Sequence, residues 1–289
     1  MKKILLIDAN LLLFRSFYAA QAISKIPGNM PTHLFFNTFF ELFKVENPDY
    51  VFFAFDGFSK TWRHQKFEQY KAGRIKAPNE LYIQKDVIRE ILNSLNLKHL
   101  AKDTDEADDL IATLTEKYKN ENEILILSED RDLLQLIDKN VTIIQKNTNK
   151  EVNAKYKKIN DKNFFSIYNF YPNQVVDYKG IAGDSSDNLL GIKGIGPKTA
   201  TNLLSKYKTL EGIYDNIDEL SQKQKNMFLE NKECSFMCKE LATLNKNVNL
   251  DLSLKSLEVL VANFKSEKAI ETLNKYSLKK IIDTINKLH

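Results

Sequence analysis

The sequence predicts an α/β protein whose central, mostly parallel sheet is flanked by helices and followed by a helical subdomain. Four apolar runs have the length of strands that are buried on both faces, and the segments between the first three are long enough for helical crossovers. Five of the nine glycines fall together near residue 190, where lysine-rich helical patterns replace the strands. We expect the α/β core to cover residues 1–165 and the helical subdomain residues 166–289.

The predicted strands carry acids at their ends. The runs are KILLID near residue 4, YVFFAFD near 51, EILILS near 124 and VTIIQ near 141. Asp8 closes the first run, Asp56 closes the second, and Asp130 and Asp132 follow the third. Because ligands collect outside the carboxyl ends of parallel strands, these acids should meet at one edge of the sheet. One such acid could equally cap the next helix, but three positions together favour a shared site.

A further acidic group lies in the segment DTDEADDLIATLTEKYK, which predicts a helix. Its first turns carry Asp105, Glu106, Asp108 and Asp109. Glu106 and Asp109 are three residues apart and share a helix face, where two carboxylates repel each other. The helix dipole favours one or two acids at this end. Four acids indicate a bound cation.

The glycine-rich segment predicts a helix-hairpin-helix. In GIKGIGPKTA, the turn runs from Gly194 to Gly196, and the second helix starts at Pro197. Backbone amides at such a turn can hold a nucleic-acid phosphate without reading bases. Lys193, Lys198 and Thr199 would add to that contact.

The GDSSDN sequence before the hairpin places Asp184 and Asp187 three residues apart. This spacing suits one cation, but a turn rich in Asp, Ser and Asn needs no metal. The motif alone therefore favours an ordinary turn.

The charge distribution favours a polyanionic partner. Nine of the 38 acids lie in these compact motifs, so the remaining 29 face 42 Lys and Arg residues, a net charge of +13. Lysine excess on a solvated surface would give the same count. Cys234 and Cys238 are four apart in a helical pattern, which predicts free thiols on one face. The four histidines are scattered and indicate neither a histidine metal site nor a catalytic triad. No apolar stretch reaches the roughly 18 residues of a membrane span. We expect a cytoplasmic monomer without membrane contact.

Five blocks, in this order, resemble the bacterial 5′ nucleases of the flap endonuclease superfamily, similar to the amino-terminal exonuclease domain of DNA polymerase I. They are IDANLLLFRSFYA, FDGFSKTWRHQKFEQYKAGR, DEADDLIA, SEDRDLLQL and GDSSDNLLGIKGIGPKTA. The resemblance spans essentially the whole chain, either as a standalone nuclease or as an excised domain. It implies a PIN-like core, an arch at about residues 60–85 and a helix-three-turn-helix at about residues 175–210.

The resemblance also implies two Mg²⁺ ions, which Mn²⁺ can replace. The tighter site would be formed by Asp8, Asp56, Glu106, Asp108 and Asp130, and the second by Asp132, Asp184 and Asp187, with Asp109 beside both. Two cations about 4 Å apart can stabilise both the attacking and the leaving oxygen of a phosphodiester. Carboxylate oxygens favour magnesium or manganese over zinc.

On the arch, the resemblance implies direct substrate contacts. Tyr70 would stack on an unpaired base, Lys71 and Arg74 would hold the scissile phosphate, and Arg63 would bind DNA. An ordinary solvated amphipathic helix is the alternative for this segment.

In relatives, backbone carbonyls of the hairpin loop hold a potassium ion. The matching residues here are Ile181, Ala182, Leu190, Ile192 and Ile195. Leu190 stands where relatives often carry proline, which leaves the loop less constrained, and Arg131 stands where they often carry lysine.

The expected function is a 5′-3′ exonuclease and 5′-flap endonuclease acting on DNA 5′ ends, flaps and RNA–DNA primer junctions, with a DNA polymerase as partner. A PIN-type ribonuclease also clusters acids at strand ends, but such domains are usually shorter and lack the glycine hairpin. A non-catalytic junction-binding module would be expected to lack some of the carboxylates, and all nine are present.

Overall fold

The computed structural model describes residues 1–24, 28–147 and 154–288. Within them, six strands form one sheet in the order β3-β2-β1-β4-β5-β6. The strands are β1 (Lys2–Asp8), β2 (Tyr50–Asp56), β3 (Lys98–Lys102), β4 (Asn122–Leu127), β5 (Val141–Lys146) and β6 (Tyr156–Ile159). All neighbours pair in parallel except β5 and β6, which are antiparallel. The predicted mostly parallel sheet is confirmed.

The four apolar runs are the four inner strands of this sheet. Along β1, Ile4 and Leu6 pack into one core layer while Leu5 and Ile7 pack into the layer on the opposite face. Such burial on both faces is why these runs read as continuous apolar segments. The sequence analysis missed β3 and β6, the two edge strands. Their sequences, KHLAK and YKKI, are only partly buried and lack that apolar signature.

Helices cover both faces of the sheet. The helices of the amino-terminal part are α1 (Ala9–Gln21), α2 (Met30–Glu46), α3 (Trp62–Lys66), α4 (Asn79–Ser94), α5 (Ala107–Tyr118) and α6 (Asp161–Tyr168). Helices α1, α2 and α4 pack on one face around a cluster of phenylalanines that includes Phe35, Phe39 and Phe53. Helix α5 packs on the other face through Leu110, Ile111 and Leu114.

Helix α5 begins one residue after Glu106, which caps it. Glu106 and Asp109 form a capping box in which each carboxylate accepts a hydrogen bond from the backbone N–H of the other residue. Their three-residue spacing therefore does not require a cation, which corrects that inference from the sequence. Asp105 lies before the helix.

The predicted arch segment is not one amphipathic helix. Helix α3 has only five residues, and turns and extended chain connect it to α4, which starts at Asn79. The residues between α3 and α4 fold against the acidic side chains Glu106 and Asp187.

The carboxy-terminal part is helical. Its helices are α7 (Val175–Ala182), α8 (Pro197–Tyr207), α9 (Leu210–Asp215), α10 (Gln222–Glu230), α11 (Lys232–Ala242), α12 (Val261–Phe264), α13 (Glu267–Lys275) and α14 (Lys279–Asn286). The predicted helix-hairpin-helix is α7, a glycine loop and α8. Cys234 and Cys238 are free thiols on α11, as predicted. No helix among the described residues is both long and apolar enough to cross a membrane.

The end of the chain returns to the α/β core. The Phe264 ring meets Phe40 at 5.5 Å and Phe43 at 5.6 Å between centroids, edge to face. Helices α13 and α14 contribute Leu273 and Ile281 to the same apolar cluster. The predicted division at residue 165 remains a prediction, but residues 259–288 clearly share the core of the first part.

Candidate metal centre and nucleic-acid interface

Asp8 ends β1 and caps α1 at the carboxyl edge of the sheet. Its Oδ1 accepts a hydrogen bond from Leu11 N at 3.0 Å, and its Oδ2 accepts one from Ser128 Oγ at 2.9 Å. Ser128 Oγ also accepts from Asp130 N at 3.0 Å. Ser128, which the sequence analysis did not single out, therefore connects the ends of β1 and β4.

Asp56 lies at the end of the neighbouring strand, β2. Its Oδ1 accepts a hydrogen bond from Ala107 N, in the first turn of α5, at 2.8 Å. The side-chain amide of Asn10 donates to Oδ2. These two donors hold the carboxylate at the sheet edge, and Asn10 is a second residue that the sequence analysis missed.

The carboxylates of Asp108, Asp130 and Asp132 meet at this edge. One oxygen from each lies within 4.8 Å of the others. Asp130 Oδ1 also accepts a hydrogen bond from Asp132 N at 2.8 Å, which fixes the turn after β4. The acids of the third strand end and of α5 thus converge as the sequence predicted.

Four of these acids, Asp8, Asp56, Asp108 and Asp130, are called the strand-end group below. Among the described residues, none of the four forms an ion pair with a basic side chain. Burial, together with the nearby Asp56 and Asp130, raises the pKa of Asp8 to about 7. Burial, together with Asp130 and Asp8, also raises the pKa of Asp108 well above its ordinary value. The strand-end group is therefore a site of uncompensated negative charge.

Four further acids form ion pairs with basic side chains and are called the arch-side group. They are Glu106, Asp132, Asp184 and Asp187. Lys71 Nζ lies 2.9 Å from Glu106 Oε2, and Arg74 Nη2 lies 2.7 Å from Asp187 Oδ1. Lys179 Nζ contacts Asp132 Oδ1 and lies 2.6 Å from Asp184 Oδ2. Lys179 was not among the predicted site residues; its only sequence signal is a lysine within the apolar helix VVDYKGIA.

The pKa values of the arch-side group reflect these partners. Burial raises the pKa of Asp132 to about 7, although Lys179 acts in the opposite direction. Burial would also raise the pKa of Asp184, but Lys179 and Ser186 outweigh it and lower that pKa. Burial works against the charged forms of Lys71 and Arg74, yet the facing carboxylates raise the pKa of both side chains. Burial opposes the charged form of Lys179 too, but Asp132 and Asp184 raise its pKa, so all three basic residues stay charged inside the cluster.

Tyr70 does not stand on an exposed arch. Its side chain is buried, and its hydroxyl donates to Asp187 Oδ2 at 3.0 Å and lies 3.3 Å from Glu106 Oε2. A buried ring cannot stack on a base in this conformation, so the predicted base contact would require the arch to rearrange and stays a prediction. Lys71, the next residue, has a left-handed backbone with φ of 57°, and its N–H donates to Asp187 O at 3.1 Å.

Arg63 and Asp109 form a buried, bidentate ion pair. The two bonds are Nη1 to Oδ2 at 2.7 Å and Nη2 to Oδ1 at 2.8 Å, and the side chains are 1% and 0% exposed. Arg63 Nε also donates to Leu241 O at 2.8 Å. In this structure Arg63 and Asp109 face each other, so neither side chain is directed at a DNA-facing surface or at the metal cluster, and the roles assigned to them from the sequence stay predictions. The buried pair therefore has a structural role, because it links α3 to α5 and, through Leu241, to α11.

The loop after α7 positions Asp184 and Asp187 through two glycines. Gly183 and Gly191 have positive φ of 74° and 63°, and a Cβ on Gly191 would lie 2.3 Å from Gly183 N. Asp184 and Leu189 exchange two backbone hydrogen bonds of 2.7 and 2.8 Å across the loop. Only glycine permits this close crossing of the chain.

The second glycine turn leads into α8 without a capping side chain. Gly194 has φ of 89°, Gly196 occupies the N-cap position, and no atom lies within 4 Å of a Cβ placed there. Lys193 and Lys198 are exposed, and Thr199 is partly exposed. The amides of this helix end therefore have room to meet a phosphate.

The five carbonyls predicted for potassium lie around the same loop. Ile181 O accepts a hydrogen bond from Ile192 N at 2.8 Å, and Ile192 O accepts one from Ile195 N at 3.0 Å. A carbonyl oxygen has a second lone pair, so these bonds leave acceptor capacity. Ion binding by Ile181, Ala182, Leu190, Ile192 and Ile195 stays a prediction.

A cavity of about 1100 Å³ connects the acids to the hairpin. Its lining includes Asp130 and Asp184 together with Arg131, Lys198 and Tyr178. Two of the carboxylates and the start of α8 thus open onto one space.

A mostly parallel sheet with converging carboxylates at its strand ends, followed by a helix, a glycine turn and a second helix, is the arrangement of a nuclease. Residues 3–165 match the family model described as 5′-3′ exonuclease, N-terminal resolvase-like domain, and residues 170–265 match 5′-3′ exonuclease, C-terminal SAM fold. The 5′-3′ exonuclease of Mycoplasmopsis pulmonis (strain UAB CTIP) is 42% identical over 99% of this chain and 94% of that protein. The chain belongs to the 5′-3′ exonuclease family.

Other comparisons agree with this assignment. DNA polymerase I of Caldicellulosiruptor bescii is 36% identical over 97% of the chain, which spans 33% of that polymerase. Two solved structures show the same fold. The T5 5′-exonuclease with bound divalent zinc has a TM-score of 0.68 at 18% identity, covering 98% of this chain and 100% of that one. The catalytic core of Rad2 in complex with DNA has a TM-score of 0.62 at 12% identity, covering 99% and 92%.

Proposed function

We propose that this chain is a divalent-metal-dependent 5′-3′ exonuclease and 5′-flap endonuclease that hydrolyses DNA phosphodiesters and removes RNA primers. The observation that carries the proposal is the cluster of carboxylates at the strand ends, of which Asp130 and Asp184 line a cavity that reaches the glycine hairpin. Membership of the family supplies the reaction class and its polarity. A solved T5 D15 flap endonuclease complex with DNA and metal ions, which shares the fold, is consistent with flap cleavage.

The donor set fits hard divalent cations. Every candidate ligand is a carboxylate, and the buried Asp132 Oδ1 has no directed hydrogen bond, although Lys179 lies against it. Oxygen ligands of this kind favour Mg²⁺, with Mn²⁺ as a substitute. We assign one cation to Asp8, Asp56, Asp108 and Asp130, and a second to Asp132, Asp184 and Asp187. When bound, the two cations would activate water and stabilise the leaving oxygen.

Glu106 and the arch residues have a different role in this proposal. Glu106 faces Lys71 and Tyr70 rather than the strand-end group, so it orients those side chains. Lys71 and Arg74 now pair with carboxylates, and a substrate phosphate offers them an alternative anion. When the phosphate arrives, the side chains of Lys71 and Arg74 would exchange their carboxylate partners for the scissile phosphate. Tyr70 would keep Asp187 in place.

The hairpin is proposed to hold the duplex. Lys193, Lys198 and Thr199 flank an uncapped helix end, and Gly194 and Gly196 let the backbone approach a phosphate. The five loop carbonyls would hold K⁺ against the same phosphate strand. Such contacts are independent of sequence and weaken steeply with salt.

We further propose that the chain acts as a monomer beside a DNA polymerase. Its similarity to DNA polymerase I extends over 97% of its length, which supports a shared task at primer ends. The polymerase would supply the displaced 5′ strand as substrate.

A labelled 5′-flap duplex tests the proposal. With Mg²⁺ we expect cleavage near the junction and short products from a nicked duplex, with similar activity in Mn²⁺ and none in excess chelator. A primer with an RNA 5′ end should be cut as well. Single-stranded RNA is the control substrate, and faster cleavage of it than of the flap would point to a ribonuclease and overturn the proposal.

A further inference from the structure

Lys179 is a buried cation among the arch-side carboxylates. It is 4% exposed on α7, and its ammonium contacts Asp132 and Asp184, which come from the turn after β4 and from the glycine loop. Both carboxylates belong to the proposed second metal position. The ammonium therefore lies where it competes directly with a divalent cation for the same oxygens.

Lys179 is more confined than Lys71 and Arg74. The side chains of those arch residues are 19% and 51% exposed, whereas that of Lys179 is 5% exposed on a packed helix. At Gly180, a Cβ would lie 2.9 Å from Ser235 O of α11, so the two helices are in close contact. A second link between them is the ion pair of Lys239 with Asp177, at 2.6 Å. Helix α7 is thus fixed against α11, and Lys179 with it.

We propose that Lys179 is a resident cation of the second metal position. It supplies a permanent positive charge between Asp132 and Asp184, so the DNA-free protein binds one divalent cation tightly, at the strand-end group. The second cation binds weakly until a substrate phosphate adds negative charge to the site. This inference rests on the proposed metal-dependent function, and it makes Lys179 a positioning residue for the second site.

The expected effect follows from charge. A fixed ammonium beside a divalent cation raises the free energy of binding through like-charge repulsion, and it occupies ligand oxygens at the same time. Removing the charge should tighten binding of the second cation about tenfold or more. The strand-end site should change far less, because Lys179 contacts none of its acids.

Metal titration of the full chain without DNA tests this inference. Mn²⁺ binding is measured by calorimetry and by electron paramagnetic resonance for the unmodified protein, Lys179→Gln, Lys179→Met and Lys179→Arg. Lys119→Met is the matched control, because it removes a basic residue that also pairs with two acids, Glu116 and Asp138, outside the cluster. Thermal unfolding establishes that each variant is folded, and Lys179→Gln retains a donor for Asp184 if Lys179→Met does not fold.

We expect one tightly bound Mn²⁺ in the unmodified protein, in Lys179→Arg and in the control. In Lys179→Gln and Lys179→Met, the second Mn²⁺ should bind at least about tenfold more tightly than it does in the unmodified protein. Equal second-site affinity in the unmodified protein and the neutral variants would overturn the assignment while leaving the metal function intact. Weaker second-site binding in the neutral variants would show that Lys179 only supports the fold. Absence of Mn²⁺ binding in every protein would instead overturn the proposed function itself.

Discussion

The two halves of the acidic cluster are neutralised in different ways. In the strand-end group, four acids meet at the sheet edge without a basic partner among the described residues, and burial raises the pKa of Asp8 and Asp108. In the arch-side group, Lys71, Arg74 and Lys179 pair with the carboxylates. Neutralising one half therefore takes a proton or a bound cation, whereas the other half carries its own positive charge.

This difference separates cation binding from substrate binding. Since no basic side chain in the described part of the chain pairs with the strand-end carboxylates, a divalent cation can bind there before DNA arrives. The arch-side group must first exchange its internal ion pairs for a phosphate or a metal. Local charge balance therefore predicts an order of events in a site whose residues look equivalent in the sequence.

The largest expected effect is on the strand-end group. Asp130→Asn should reduce cleavage about 1000-fold, or roughly 4 kcal/mol, because it removes negative charge where the first cation is proposed to bind. Affinity for a flap duplex in Ca²⁺ should stay within about threefold. Single-turnover cleavage and filter binding measure the two quantities.

Asp251→Asn is the control for this variant, because Asp251 is exposed and outside the cluster. Cleavage by Asp130→Asn at the unmodified rate would remove the strand-end group from the chemistry.

A large effect on stability is expected from Arg63, which belongs to neither group. Arg63→Met leaves the fully buried Asp109 without its partner, and breaking such a pair costs about 3–5 kcal/mol. Urea unfolding measures this loss. A change below about 1 kcal/mol, together with lost DNA affinity, would return Arg63 to the DNA-binding residues.

A smaller effect should appear as pH dependence of the metal-free protein. The folded-state pKa of Asp8 and Asp132 is about 7, above the unfolded value near 4, so the folded state binds more protons between these values. Stability is therefore greatest below about pH 4 for these two groups and falls as pH rises through about 7. Thermal unfolding in chelator should show this fall.

Divalent cations should stabilise the protein more at high pH than at low pH. Mg²⁺ should raise the melting temperature at pH 8 by at least about 2–4 °C, the shift that about 1 kcal/mol produces in a domain of this size, and by less at pH 5. Asp8→Asn should reduce the pH dependence. An increase with Mg²⁺ that is equal at both pH values would contradict the raised pKa of Asp8.

The smallest effect concerns Tyr70. Tyr70→Phe removes the hydrogen bonds to Asp187 and Glu106 but keeps the ring, and should cost about 1 kcal/mol of stability with a severalfold loss of cleavage. Tyr70→Leu, which also removes the ring, is the companion variant. If Tyr70→Phe cuts normally and only Tyr70→Leu fails, the ring contacts the substrate after a rearrangement of the arch.

The sequence predicted the elements whose residues are buried on both faces. The four inner strands, the acids at their ends and the start of α8 at Pro197 are where they were expected. The edge strands β3 and β6 were missed because half-exposed strands carry no continuous apolar run.

The partners of the acids were harder to predict. A basic residue in the sequence has the same appearance whether it faces solvent, a carboxylate or DNA, so Arg63 was assigned to DNA and Lys179 was missed. Asp109 was grouped with the metal ligands because spacing along a helix does not reveal which neighbour comes from another segment. These assignments depend on contacts between residues more than 40 positions apart.

The buried link from Arg63 to Asp109 and Leu241 has a consequence for where the substrate is cut. It joins the chain beside the arch, helix α5 and the end of α11, while Phe264 packs against the core from the far end of the chain. Because α11 also packs against α7, the first helix of the hairpin, this link restrains the distance between the acids and the hairpin. We expect this spacing to set a fixed number of nucleotides between the gripped duplex and the broken bond.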